Sequence, residues 1–122
     1  MNKKLHFNRL IRDKVLDKLQ AKNLEYKVKK LSEKDFLKEL KAKISEEAEG
    51  VLAAKNKQEI LKEMADLIFV IEEYKKALKI SRKEFDQALQ DNKNKKGGFK
   101  KRIYLFWTSD DGYQTNEKIN KK

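Results

Sequence analysis

The sequence predicts an all-α fold, an antiparallel helical bundle of about four helices, and three observations carry that prediction. Apolar residues recur at spacings of three and four along most of the 122-residue chain. Residues suited to capping a helix, Ser32, Asn56 and Ser81, punctuate that pattern. Proline is absent from the chain, which suits long uninterrupted helices.

The elements follow in order. Residues 8–20 carry Leu10, Ile11, Val15, Leu16 and Leu19, the stripe of a first amphipathic helix. Leu24, Tyr26 and Val28 then alternate with polar residues, so residues 24–30 read as a short strand or extended link. Ser32 opens a second helix, with Asp35 taking the place of the usual Glu or Gln of a capping box. Leu37, Leu40, Ile44, Ala48 and Val51 lie on one stripe of this helix, which is expected to end near Ala54. Asn56, with Glu59 at the third helical position, caps a third helix whose stripe holds Ile60, Met64, Leu67, Ile71 and Leu78. Ser81 and Glu84 form a further capping box for a fourth helix bearing Phe85, Ala88 and Leu89. Residues 93–98 read as a lysine-rich break with paired glycines, and residues 99–108 as a second extended segment, dense in aromatics, that packs on the bundle or on a partner subunit. The expected organisation is one domain over residues 1–108 and a polar, flexible tail over 109–122. Short helix-to-helix connections imply antiparallel neighbours.

Composition narrows the function. The charged fraction is 42%, against about 25% for an ordinary globular domain. Helical periodicity argues against disorder all the same. No cysteine is present and there is one histidine, His6, so disulfides, thiolate metal sites and a His-rich zinc site within one chain are excluded. No apolar run approaches the ~18 residues that would span a membrane, and the first residues lack the apolar core of a secretory signal. The expected setting is a soluble cytoplasmic protein. A net charge of +11 favours polyanionic partners such as nucleotide phosphates or nucleic acid. The plainer explanation is a lysine-rich surface that keeps the protein soluble.

The chemistry candidates are acids on the second and third helices. Glu46, Glu47 and Glu49 lie on the former, Glu63 and Asp66 on the latter. Residues three apart project onto nearly the same helix face. Antiparallel helices can therefore bring such pairs together as oxygen ligands for a hard cation such as Mg²⁺. Turning about 100° per residue puts Glu47 and Glu63 on the flanks of their apolar stripes, Asp66 further out on the same side, and Glu49 toward water. A half-buried acid is costly unless paired or metal-bound. The competing interpretation is that these acids only pair with neighbouring lysines.

This spacing resembles that of the MazG-like and phosphoribosyl-ATP pyrophosphohydrolase-like families. They carry two acids, two variable positions and a third acid on one helix, then an acid, two variable positions and an aspartate on the next. Ile44-Ser45-Glu46-Glu47-Ala48-Glu49-Gly50 and Glu63-Met64-Ala65-Asp66 stand in those places. RLIRDKV at residues 9–15 and GGFKKRIYL at residues 97–105 resemble the opening and closing segments of a small subgroup, so the resemblance runs from about residue 6 to residue 107. It implies a helical bundle assembled as a homodimer or homotetramer. It implies cleavage of a nucleotide between its α and β phosphates to a monophosphate and pyrophosphate, with Mg²⁺, or Mn²⁺ in its place. Carried over by position, Glu47, Glu63 and Asp66 are metal ligands, and Glu46 is a ligand or a base orienting the attacking water. Arg12, Lys14, Lys101 and Arg102 are candidates for holding the substrate phosphates; solvated helix surface and a simple turn are the plainer roles for these two pairs.

One position departs from the pattern. The third acid of the first motif falls at Gly50. Neighbouring Glu49 points about 100° away, and glycine costs the helix ~1 kcal/mol relative to alanine. A register shifted by one residue would align Ser45, Glu46 and Glu49, but it turns the acid pair away from the core stripe. Read this way, the loss of one ligand weakens metal affinity. Two alternatives to an enzyme follow: a relative that binds nucleotide without turnover, and a basic helical protein that binds nucleic acid.

Overall fold

Each predicted cap forms, and the caps set where the helices begin. The computed structural model of the chain describes residues 3–112. Among these residues are four helices, α1 (Asp13–Ala21), α2 (Glu33–Ala53), α3 (Lys57–Ala77) and α4 (Arg82–Lys96). Ser32 Oγ accepts the Asp35 N–H at 3.2 Å, and Asn56 Oδ1 accepts the Glu59 N–H at 2.9 Å. Glu59 reaches back to the Lys55 N–H at 2.9 Å. Ser81 and Glu84 bond reciprocally, each backbone N–H donating to the other's side-chain oxygen at 3.0 Å. These bonds satisfy amides that have no partner within the helix.

The chain forms two compact units, Met1–Asp86 and Gln87–Lys122. In the first, α2 and α3 pack closely against each other. They run antiparallel, because Gly50 and Glu47 of α2 meet Glu63 and Asp66 of α3 in reversed order. The stripe Leu37, Leu40, Ile44, Ala48 and Val51 lies in this packed face, with Leu40 only 4% exposed. On α3, Ile60, Leu67 and Ile71 are half-buried as expected, whereas Met64 and Leu78 are exposed. Their place is taken by Glu63, Asp66 and Val70, all half-buried. The helix is thus turned so that its acids face α2. The start of α4 is tied to α3 by Lys75, whose Nζ lies 3.7 Å from the Phe85 ring centroid.

Two boundaries differ from the expectation. The first helix begins at Asp13 rather than near residue 8, with Arg12 as its N-cap in extended conformation. Arg9 and Arg12 are drawn instead into ion pairs with α2 and α3, and Asn8 takes a left-handed φ of 49°. The fourth helix continues through the lysine-rich stretch to Lys96. Lys93, Lys95 and Lys96 in its last turn interact favourably with the helix dipole. Gly97, at φ 73°, ends the helix in a conformation that glycine adopts without steric cost. Residues 24–30 and 102–108 form neither helix nor strand. The former reads as the link rather than the strand, since alternation alone makes no ladder without a partner to pair with.

In the second unit, a turn closes with the Arg102 N–H on the Phe99 carbonyl at 2.9 Å, and Tyr104 meets Phe106 edge-on at 5.0 Å between ring centroids. Most of the expected tail, residues 113–122, lies outside the described residues.

Candidate active site

The packed face of α2 and α3 carries the acids. Glu47 projects from α2, Glu63 and Asp66 from successive turns of α3. Each offers one carboxylate oxygen, and the three oxygens lie within 4.8 Å of one another. All three side chains are half-buried. Glu49 is exposed, as its helical angle predicts. The Glu47 carboxyl is pushed above its ordinary value, first by burial and then by the negative charge of Asp66; Glu46 and Glu63 act in the same sense, and Lys43 opposes them. Three carboxylates this close repel one another, and a cation among them would relieve both effects.

Pairing with lysines accounts for only part of the cluster. Glu46 does pair, with Lys43 at 3.3 Å and with Arg9 more closely still. Asp66 pairs with Arg12 at 3.5 Å. Among the described residues, neither Glu47 nor Glu63 has a cation within ion-pair distance. The donor set is all carboxylate oxygen, which suits a hard divalent cation. Its spread is little more than the ~4.2 Å that separates opposite ligands of an octahedral Mg²⁺. The residues present therefore fit such an ion.

The segment before α1 lies beside these acids. Arg9 donates to Glu46 and also to the Phe7 carbonyl at 3.1 Å. Arg12 stacks over Phe69 of α3, 3.8 Å from the ring centroid. Lys14 is exposed in the first turn of α1. Lys101 and Arg102 fall in the second unit, at the turn that follows Phe99. Arg9, Lys43 and Phe69 were not among the site residues expected from the sequence. Arg9 stands three residues before Arg12 in the RLIRDKV stretch, so the signal was present; Lys43 precedes Glu46 by the same interval.

A hairpin of two long helices that turns three acids toward one another is an arrangement suited to pyrophosphohydrolase chemistry. Residues 6–93 match the phosphoribosyl-ATP pyrophosphohydrolase (PRA-PH) family model. The chain belongs to this family, which lies within the MazG-like pyrophosphohydrolase superfamily. Comparison with curated proteins and with solved structures returns no match. Family membership implies pyrophosphohydrolase activity. No helix among the described residues is long and apolar enough to cross a membrane.

Proposed function

We propose that this chain is a Mg²⁺-dependent nucleotide pyrophosphohydrolase. It hydrolyses the α–β phosphate bond of a nucleoside triphosphate, noncanonical ones included, or of a related nucleotide such as phosphoribosyl-ATP. One water is consumed, and a monophosphate and pyrophosphate are released. The observation that carries this reading is the convergence of Glu47, Glu63 and Asp66, in a chain of this family, within 4.8 Å of one another. These three hold Mg²⁺, or Mn²⁺ in its place. When bound, the ion neutralises charge on the phosphoryl oxygens and activates water.

The remaining roles follow from charge and reach. Glu46 stands beside Glu47, held by Arg9 and Lys43, and orients the attacking water as its proton leaves. Arg12 and Lys14 meet the polyphosphate from the N-terminal side, where the planar guanidinium suits bidentate contact. Lys101 and Arg102 are further candidates for phosphate contact, carried by the sequence resemblance alone. The protein acts in the cytoplasm as a homodimer or homotetramer. Leu52, 85% exposed, and Ile68 and Leu61, both more than half exposed, supply apolar surface for that assembly.

Incubation with a nucleotide panel that includes phosphoribosyl-ATP, with Mg²⁺ or Mn²⁺ and detection of released pyrophosphate, tests this function. Release by the wild type that disappears in Asp66→Asn supports it. Silence across the whole panel ends the enzyme claim. A nucleotide-binding relative without turnover is the second reading, favoured by a cluster of three acids with Gly50 at the fourth place; binding without release would select it.

A further inference from the structure

Gly50 lies in the packed face of α2, one turn beyond Glu47, and nothing in its backbone calls for glycine. It is an interior helical residue and is not among those with positive φ. In such a place glycine is less favourable than alanine, because it surrenders more backbone freedom on folding. The space at Gly50 is what distinguishes it. A Cβ built there falls inside contact distance of Glu63 Oε2 and lies 3.1 Å from Glu63 Cδ. The Glu63 carboxylate therefore rests where a side chain at position 50 would begin. The three atoms nearest to that Cβ across the helix pair all belong to the Glu63 side chain.

We propose that Gly50 is a positioning residue for the metal site, its missing side chain making room for the Glu63 carboxylate to lie against α2 beside Glu47. The inference rests on the reading that Glu47, Glu63 and Asp66 hold a divalent cation. On this view Gly50 is not the scar of a lost ligand. The volume that an acid at this position would fill is used by an acid from the facing helix. Any side chain at 50 displaces Glu63 through its Cβ alone, so Gly50→Glu exchanges one ligand for another and does not strengthen the site. The clash falls on the far end of a flexible side chain, not on backbone. The fold therefore accommodates a substitution by rotating Glu63 away, and the cluster loses its third oxygen.

Opposite signs for stability and binding make the proposal testable. Mn²⁺ is titrated calorimetrically into the full chain as wild type, Gly50→Ala, Gly50→Ser and Asp66→Asn, and each protein is melted by circular dichroism. Gly50→Ala is expected to melt at or above the wild-type temperature while binding Mn²⁺ roughly tenfold more weakly, the scale seen when residues that orient metal ligands are changed. Gly50→Ser, a poorer helix former than alanine, is expected to weaken Mn²⁺ binding equally, which separates space from helix propensity. Unchanged Mn²⁺ affinity in both Gly50 variants overturns the proposal and leaves the metal site standing. Absence of Mn²⁺ binding by the wild type, or undiminished binding by Asp66→Asn, removes the metal reading and the proposal with it.

Discussion

The Arg12 guanidinium stands 3.5 Å from the Asp66 carboxylate and 3.8 Å from the centroid of the Phe69 ring. A residue just outside α1 is thereby fixed beside the acid cluster by one charge and one aromatic face. The planar guanidinium is suited to both contacts at once.

Arg12→Ala is expected to weaken binding of a nonhydrolysable triphosphate by about tenfold, the loss of one charge-assisted contact. Both partners of the pair are about half exposed, so folding stability changes by no more than ~1 kcal/mol. Arg12→Lys restores the charge without the planar fork and recovers only part of the affinity. Calorimetric titration alongside urea denaturation separates the two effects; full affinity in Arg12→Ala would remove this residue from the phosphate site.

Metal addition is expected to raise the melting temperature. A site filled at a hundredfold excess over its dissociation constant adds about 2.7 kcal/mol. Asp66→Asn abolishes that gain. In the metal-free state the same variant keeps roughly wild-type stability, because loss of the Arg12 pair is offset by relief of the repulsion that Asp66 exerts on Glu47. Thermal melts with and without Mn²⁺ or a chelator read both results.

Asn56 caps the start of α3, the helix that carries Glu63 and Asp66. Asn56→Ala removes the acceptor of the Glu59 N–H and should cost ~1 kcal/mol. Asn56→Asp retains the acceptor and should retain most of the stability. Urea denaturation distinguishes them, and equal stability of Asn56→Ala and wild type would show that the cap contributes nothing.

The capping box of α4 makes a pH-dependent contribution. Bonds from the Ser81 backbone, and then from its side chain, hold the Glu84 carboxyl below its ordinary value of 4.5. The folded value is thus lower than the unfolded one. Its contribution is fully present above 4.5 and is lost as pH falls through the depressed folded value. Glu84→Gln keeps an acceptor but does not titrate, so this part of the stability profile flattens. Denaturation on either side of that pH tests the sign; an identical slope in the variant would contradict it.

Much of the fold was legible in local pattern. Caps, helical periodicity and the outward turn of Glu49 each depend on residues three or four apart, and Ser32, Asn56 and Ser81 act as their sequence neighbours imply. The same angular rule put Glu47 and Glu63 on flanks of their helices that the packing half-buries. The start of α1 was not legible. Its apolar spacing continues back to Leu10, but Arg9 and Arg12 find carboxylates on α2 and α3, and those partners lie far along the chain.

The sequence by itself determined an all-α fold, three of the four helix starts among the described residues and the acids available for chemistry, because hydrogen bonding and periodicity within a helix are local. Only the tertiary structure decided which acids meet. The antiparallel register of α2 and α3 sets Glu47 against Asp66 and Gly50 against Glu63. That register follows from side-chain packing between two separate helices, where the space left by a single glycine determines what the facing carboxylate can reach.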